Sequence, residues 1–191
     1  TQHLNICLCL GKYYSMKKIL QKAIPKLYGF YFNTLHLFSK EKAAAVALKV
    51  FSTPRKGKVL DHQKDFLSTA RTQQIAFEDG LFTLYHWKGS GPTVLLIHGW
   101  ESNSFRWKYL VDPLRKLDYN IISIDAPAHG NSDGTLFTAV KYSKIIKTTI
   151  ELYEPQIVIA HSVGAMATIF QESKKSHVSI EKLVLLGSPN R

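Results

Sequence analysis

Residues 157–168, IVIAHSVGAMAT, join an apolar, β-like run to a run of small residues with helical character. The hydroxyl of Ser162 stands at the junction, with Ala160 two positions before it and Gly164 two positions after it. Two interpretations fit this pattern. Ser162 is either the N-cap of a helix in an ordinary strand-to-helix turn, or a nucleophile on a sharp turn that requires small neighbours. The rest of the chain decides between them.

Three other short apolar runs accompany the run at 157–160: TVLLI at 93–97, IISI at 121–124 and LVLLG at 183–187. Near-continuous apolar strands of this length are typical of sheets covered on both faces. The segments between them have helical periodicity, and one places an apolar face on Trp107, Leu110, Val111, Leu114 and Leu117. Alternating strands and helices predict right-handed crossovers. The predicted fold class is therefore α/β, with a mostly parallel, doubly wound sheet.

Before these runs, the segments QQIAF and LFTLYHW flank Asp79-Gly80, which predicts a β-hairpin. The chain has 191 residues, of which 45% are hydrophobic and 20% charged, as in globular proteins. Residues 1–70 carry 12 Lys and Arg against 3 Asp and Glu, a net charge of +9. We therefore divide the chain into a basic helical N-terminal segment, 1–70, and part of an α/β domain, 71–191. Residues 1–15 precede Met16, and we interpret them as upstream or non-native sequence.

The basic segment is open to three interpretations. Its apolar residues recur at steps of three and four between 20 and 38, which predicts an amphipathic helix, and Ser39 is a candidate N-cap for a second helix at 40–51. We favour a helical prelude that packs against the following domain. The alternative is weak contact of residues 16–58 with a membrane surface. Nucleic acid is the least favoured partner, and we expect none.

No segment of the chain predicts a membrane span, because the longest uncharged run near the N-terminus, 27–39, is too short for one. The only cysteines, Cys7 and Cys9, fit neither a disulfide framework nor a zinc site. We therefore expect a reduced, cytoplasmic setting and no metal.

Small and polar residues follow three of the apolar runs: His98-Gly99-Trp100-Glu101-Ser102, residues 125–132 (DAPAHGNS) and His161-Ser162-Val163-Gly164. Functional groups gather at the carboxyl ends of the strands in such sheets. In this order and spacing, LLIHGWESNS, SIDAPAHGNSDG and IAHSVGA resemble the motifs of the α/β-hydrolase family. The resemblance covers about residues 71–191.

The resemblance implies a serine hydrolase of the esterase or lipase type, acting on a small ester or related acyl compound without a cofactor. Ser162 is then the nucleophile on the elbow between strand and helix. The backbone N–H groups of Val163 and Trp100 are the implied oxyanion hole.

Other residues of the motifs have supporting roles in this interpretation. Gly99 lets its loop approach closely and His98 shapes that loop. Ala160 and Gly164 are the small neighbours, although the family usually has glycine at the position of Ala160. We expect the side chain of His161 to diverge from Ser162. Asp125 and His129 are expected to be structural members of their turn.

In this family an acid and then a histidine follow the serine along the chain. After Gly164 the chain offers Glu172, His177 and Glu181, which we expect at the opposite end of the sheet. The resemblance thus implies a C-terminally truncated hydrolase, nearly inactive alone, whose acid, base and lid lie beyond Arg191. The alternative is a non-catalytic binding or scaffold protein with the same fold, and a third interpretation is a peripheral membrane protein that attaches through its basic N-terminus.

Overall fold

The computed structural model of the protein describes residues 19, 22–78, 80–174 and 176–187. Cys7, Cys9 and the predicted upstream segment 1–15 lie outside the described residues. The chain forms two compact units, Thr1–Phe51 and Ser52–Arg191. Contacts therefore group residues 52–70 with the sheet, whereas the charge pattern of the sequence grouped them with the basic N-terminal segment.

The first unit contains two helices, α1 at 22–38 and α2 at Lys40–Ser52, whose last residue begins the second unit. Ser39 separates them and caps α2, because its hydroxyl accepts a hydrogen bond from the N–H of Lys42 at 3.2 Å. The rings of Phe32 and Phe51 pack together, with centroids 6.3 Å apart. Neither of these helices, nor any other within the described ranges, is long and apolar enough to cross a membrane.

The second unit is built on a six-stranded sheet in the order β1-β2-β4-β3-β5-β6. The strands are β1 (Arg71–Phe77), β2 (Gly80–Trp87), β3 (Thr93–Ile97), β4 (Asn120–Ile124), β5 (Ile157–His161) and β6 (Lys182–Leu186). The helices are α3 (Asp61–Leu67), α4 (Lys108–Lys116), α5 (Ala139–Tyr153) and α6 (Val163–Lys174). The hairpin β1–β2 is antiparallel, β2 also pairs antiparallel with β4, and β3 to β6 are parallel. The predicted α/β class, with a mostly parallel sheet, is confirmed.

Helices cover the central strands on both faces, as their continuous apolar runs require. In β3, Leu95 and Ile97 belong to one buried cluster, whereas Val94 and Leu96 belong to another. The first cluster includes Ile145, Ile146, Ala165 and Ala167 from α5 and α6. The second includes Leu67 and Val111 from α3 and α4. The alternation of side chains along each strand thus fills two cores at once.

One predicted core position is wrong. Leu117 continues the apolar periodicity of α4 in the sequence, but it is 68% exposed. The helix ends at Lys116, and Asp118 takes a left-handed conformation with φ 59°. Leu117 is thus the cap that follows the last residue of α4, and it lies outside the face that Val111 buries.

The last strand, β6, differs from the other parallel strands in its burial. It is paired with β5 on one side, and all five of its residues are exposed. Leu183, Val184, Leu185 and Leu186 are each between 37% and 42% exposed. This strand is the edge of the described sheet.

Candidate functional site

Ser162 is the single residue between the end of β5 at His161 and the start of α6 at Val163. Its N–H donates to the carbonyl of Leu186 in β6 at 2.8 Å, and its carbonyl accepts from the N–H of Met166 in the first turn of α6 at 3.1 Å. These bonds tie both sides of a one-residue turn to regular structure, and Ser162 takes a left-handed conformation with a φ of 53°. The left-handed region costs a non-glycine residue roughly 1–2 kcal/mol. A strained serine between a strand and a helix is the geometry of a nucleophile elbow.

The sharp turn is possible because its neighbours are small. A Cβ at Gly164 would lie 2.3 Å from the carbonyl oxygen of His98, a contact that no side chain tolerates. Ala160 is fully buried and its methyl group is accommodated in the core. The chain thus requires glycine after Ser162 but accepts alanine before it.

The loop after β3 comes against this elbow at Gly99. A Cβ at Gly99 would lie 3.0 Å from the Cβ of Ser162 and 3.0 Å from the carbonyl oxygen of His161. The next residue, Trp100, is half-buried, and its ring meets those of His129 and Phe137 at 5.4 and 5.2 Å between centroids. The backbone of this loop is therefore held next to the serine.

Two backbone N–H groups beside the serine are free. Within the described ranges, neither the N–H of Trp100 nor that of Val163 donates a hydrogen bond. Val163 is the first residue of α6, where N–H groups have no partner within the helix. Such donors, together with the helix dipole, favour negative charge at this place.

His98 holds the loop after β3 against the loop after β4. It is fully buried. Its Nδ1 is 2.7 Å from the carbonyl of Gly99, to which it donates, and its Nε2 accepts from the N–H of Ala126 at 3.0 Å. Burial lowers the pKa of His98 from 6.5 to about 3, so the ring is neutral. With both nitrogens occupied, His98 is not available as a base.

The loop after β4 is held by its own buried polar groups. The carboxylate of Asp125 accepts four hydrogen bonds, from the N–H and the hydroxyl of Ser104, the N–H of Asn131 and the hydroxyl of Tyr85. Burial raises the pKa of Asp125, and these donors oppose the rise. His129 donates from Nδ1 to the carbonyl of Pro127 at 2.8 Å, and its Nε2 accepts from the backbone N–H of Glu101 at 3.0 Å. Both side chains are committed to the loop.

His161 adjoins Ser162 but makes no hydrogen bond with it. Its Nδ1 is buried without a partner among the described residues, and a Cβ at Gly99 would lie 2.9 Å from that atom. The ring thus packs over Gly99. Burial, and secondly the charge of Arg106, lower the pKa of His161.

The other acid and histidine candidates lie away from the elbow. His177 pairs with Glu172 at 2.7 Å in the segment that follows α6. Since α6 starts at Val163 and rises about 1.5 Å per residue, this pair is roughly 15–20 Å from Ser162. Glu181 donates its backbone N–H to the carbonyl of Gln156, which directly precedes β5. It therefore lies at the amino end of β5, whereas Ser162 follows the carboxyl end. Among the described residues, no acid–histidine pair reaches Ser162.

Cationic side chains next to this site belong to no motif in the sequence. Arg55, Lys56 and Arg106 line a cavity beside Glu101 and Ser102. The only signal in the sequence is the group of basic residues Arg55, Lys56 and Lys58. Arg55 and Arg106 are 51 positions apart, and no short motif joins them.

Comparison with known proteins places this geometry in a family. Residues 94–190 match the model of the alpha/beta hydrolase family. The chain is similar to the hydrolase YugF of Bacillus subtilis, with 27% identity over 117 residues that cover 58% of this chain and 42% of that protein. It is also similar to a pimeloyl-[acyl-carrier protein] methyl ester esterase of Vibrio atlanticus, with 41% identity over 51 residues, 26% of this chain and 19% of that protein.

Among solved structures, the thioesterase domain from the curacin biosynthetic pathway superposes with a TM-score of 0.58. It is 24% identical, and the match covers 63% of this chain and 47% of that domain. At this identity the likeness concerns the fold alone. The chain spans less than half the length of each of these relatives. The family-model match covers half of the chain, and the chain belongs to the α/β-hydrolase family.

Proposed function

We propose that the protein is a serine hydrolase that acts on carboxylic esters or related acyl compounds, with Ser162 as nucleophile. The observation that carries the proposal is the left-handed conformation of Ser162 beside the free N–H groups of Trp100 and Val163. The named activity of one relative, a methyl ester esterase that is 41% identical over 51 residues, supports an acyl substrate.

In the proposed reaction, the oxygen of Ser162 attacks the acyl carbonyl carbon. The N–H groups of Trp100 and Val163 bind the resulting oxyanion, and loss of one such donor costs roughly 2.7–4 kcal/mol in comparable enzymes. The alcohol or thiol leaves with a proton, and water then releases the acid from the acyl-enzyme.

The mechanism requires a base that accepts the proton of Ser162 and an acid that orients the base. The described residues supply neither near Ser162, since Glu172 and His177 lie at the far end of α6. The proposal therefore concerns the whole protein, and we expect the 191-residue chain alone to be nearly inactive.

The test uses the protein encoded by the complete reading frame and a fluorophosphonate probe, which labels activated serines. We expect labelling and ester hydrolysis, both abolished by Ser162→Ala. The matched control is Ser173→Ala, an exposed serine of the same helix, which should leave both unchanged. Absence of Ser162-dependent labelling would refute the enzyme and favour a non-catalytic binding protein of the same fold.

A second candidate function, attachment to an anionic membrane surface, is favoured by the first unit. On α1 the large apolar residues Phe30, Leu37 and Phe38 are 74%, 82% and 82% exposed. Spacings of seven and eight residues from Phe30 place all three on one face. Such a face is unusual in a soluble monomer.

The charge of the same unit fits an anionic surface. Between 22 and 51 there are five lysines and one acidic residue, Glu41. Basic residues near the bilayer surface contribute about 1 kcal/mol each, and burying a Leu or Phe side chain contributes about 1.5–3 kcal/mol.

Flotation with vesicles that contain phosphatidylglycerol tests the attachment. We expect Leu37→Ser/Phe38→Ser to reduce the bound fraction at least tenfold. The control is Tyr109→Ser, which removes a residue that is 86% exposed in the second unit. Equal binding of both variants would contradict the attachment.

A further inference from the structure

An open cavity of about 510 Å³ lies in the second unit beside the loop that follows Trp100. Four cationic residues line it, Arg55, Lys56, Lys58 and Arg106, against one acidic residue, Glu101. One wall comes from the segment 54–63, which precedes the region that matches the family model, 94–190. The cavity is thus built partly from residues outside the region that matches the family model.

The segment 54–63 is bonded to the loops that follow β3 and β4, at the carboxyl ends of these strands. The N–H of Arg55 donates to the carboxylate of Glu101 at 2.9 Å. The carbonyl of Gly57 accepts from the N–H of Gly130 at 2.8 Å. Lys58 donates from Nζ to the carbonyl of Ser132 at 2.9 Å. These bonds shape the cavity before any ligand arrives.

Gly57 lets this segment lie close to the loop after β3. Its φ is +101°, and a Cβ there would lie 2.7 Å from the ring of His129 and 3.1 Å from the backbone of Ser102. The wall of the cavity therefore rests directly on the loop that carries Gly99 and Trp100.

None of the four cations forms an ion pair with a carboxylate of the described residues, and Lys58 donates to a carbonyl oxygen instead. The side chains of Arg55, Lys56 and Arg106 form no ion pair with any described residue. The charge of Arg106 also contributes to the lowered pKa values of His98 and His161, so its field extends to the elbow. Unpaired cations around a concave surface attract an anion of more than one charge.

The remaining lining includes apolar side chains. Pro54, Leu60, Phe105 and Ala128 contribute to it, and Leu60 is 55% exposed. A ligand that contacts both the cationic and the apolar side chains of the cavity has an anionic group and a less polar portion.

We propose that this cavity binds the phosphate groups of an organic ligand, whose less polar portion lies along Leu60 and Phe105. Arginine guanidinium groups bind phosphate oxygens in pairs, and lysine adds a point charge. The site goes beyond the proposed hydrolysis, because its contacts do not involve Ser162. Ser162→Ala is expected to bind the same ligands, so failure of either proposal is separable from the other.

Isothermal titration of the chain with pyrophosphate and with coenzyme A tests the site. We expect saturable binding of both at low salt, and tighter binding of coenzyme A.

Arg55→Ala/Arg106→Ala should weaken the binding of both probes about 100-fold, since each charged contact contributes roughly tenfold. Leu60→Ser should weaken coenzyme A alone. The control is Arg115→Ala/Lys116→Ala, which removes the same charge from the last turn of α4 and should change affinity less than twofold.

The outcomes separate the possible sources of the phosphate. Binding of coenzyme A assigns a soluble ligand. Binding only to phosphatidylglycerol vesicles, lost in Arg55→Ala/Arg106→Ala and kept in the control, assigns a lipid headgroup. The proposal is overturned if no probe binds, or if the control variant weakens binding as much as the double variant. Equal affinity for pyrophosphate and coenzyme A overturns the part played by Leu60 and Phe105.

Discussion

Gly164 is the residue at which the elbow leaves the least space. We predict that Gly164→Ala destabilises the protein by about 1–3 kcal/mol, because the new methyl group would press on the carbonyl of His98. Urea unfolding measures the change. In the control, Gly29→Ala in α1, the new Cβ has nothing within 4 Å, and the substitution should stabilise the helix by about 0.5–1 kcal/mol. A neutral Gly164→Ala would contradict the close approach of the two loops.

The buried histidine of the same loop predicts a dependence of stability on pH. Because folding lowers the pKa of His98 from 6.5 to about 3, its stabilising contribution is complete above pH 6.5 and is lost as the pH falls towards 3. In that window the unfolded state binds one more proton at this site, which corresponds to about 1.4 kcal/mol per pH unit.

We therefore expect the free energy of unfolding of His98→Gln to fall less steeply between pH 6.5 and 4 than that of the wild type. The change of slope should approach the value for one proton. His36→Gln, at an exposed position of α1, serves as control and should leave the slope unchanged. Parallel curves for wild type and His98→Gln would show that His98 titrates normally.

At the scale of elements, the strands were predictable and the helix ends were not. Four apolar runs became β3 to β6 with limits shifted by no more than one residue. In β3 and β4, where four of the five residues are buried, burial on both faces explains the continuous apolar signal. The end of α4 depends instead on backbone geometry at Asp118, and apolar periodicity continues past it to Leu117. Apolar periodicity shows which residues could face the core, but the residue at which the helix ends determines which of them are buried there.

The edge strand β6 predicts self-association. Its outer side lacks a partner among the described strands, and its exposed residues are apolar from Leu183 to Leu186. Unprotected edges of this kind pair with other chains. We expect concentration-dependent association in sedimentation, reduced by Val184→Lys. Val140→Lys, at a residue of α5 that is 50% exposed, should not reduce it; an equal effect of both variants would point to net charge instead of the edge.

At the scale of the whole molecule, the division into units predicts that the sheet does not depend on the helices before it. Both apolar clusters of the second unit are formed by residues from 59 onward. A chain that starts at Ser52 should therefore keep its near-ultraviolet circular dichroism and its urea midpoint. A loss of cooperativity on removal of residues 1–51 would contradict this independence.

The candidate site shows where sequence reasoning ends. The motifs around His98, Asp125 and Ser162 indicated the elbow because each follows its own strand, and parallel strands bring those ends together. The cationic cavity had no such sign, since Arg55 and Arg106 meet only through the path of the chain between them. Local sequence patterns predict functional residues that directly follow a strand. They do not predict a site whose residues, such as Arg55 and Arg106, are far apart in the sequence.

The positive φ of Ser162 has a consequence for descendants of this protein. Glycine adopts that conformation freely and asparagine with little penalty, so either would relax the bend. A lineage with no need for the hydroxyl would be expected to drift towards one of them. Under the proposed mechanism, we therefore expect lineages that retain the hydrolysis to keep the serine despite its unfavourable backbone conformation.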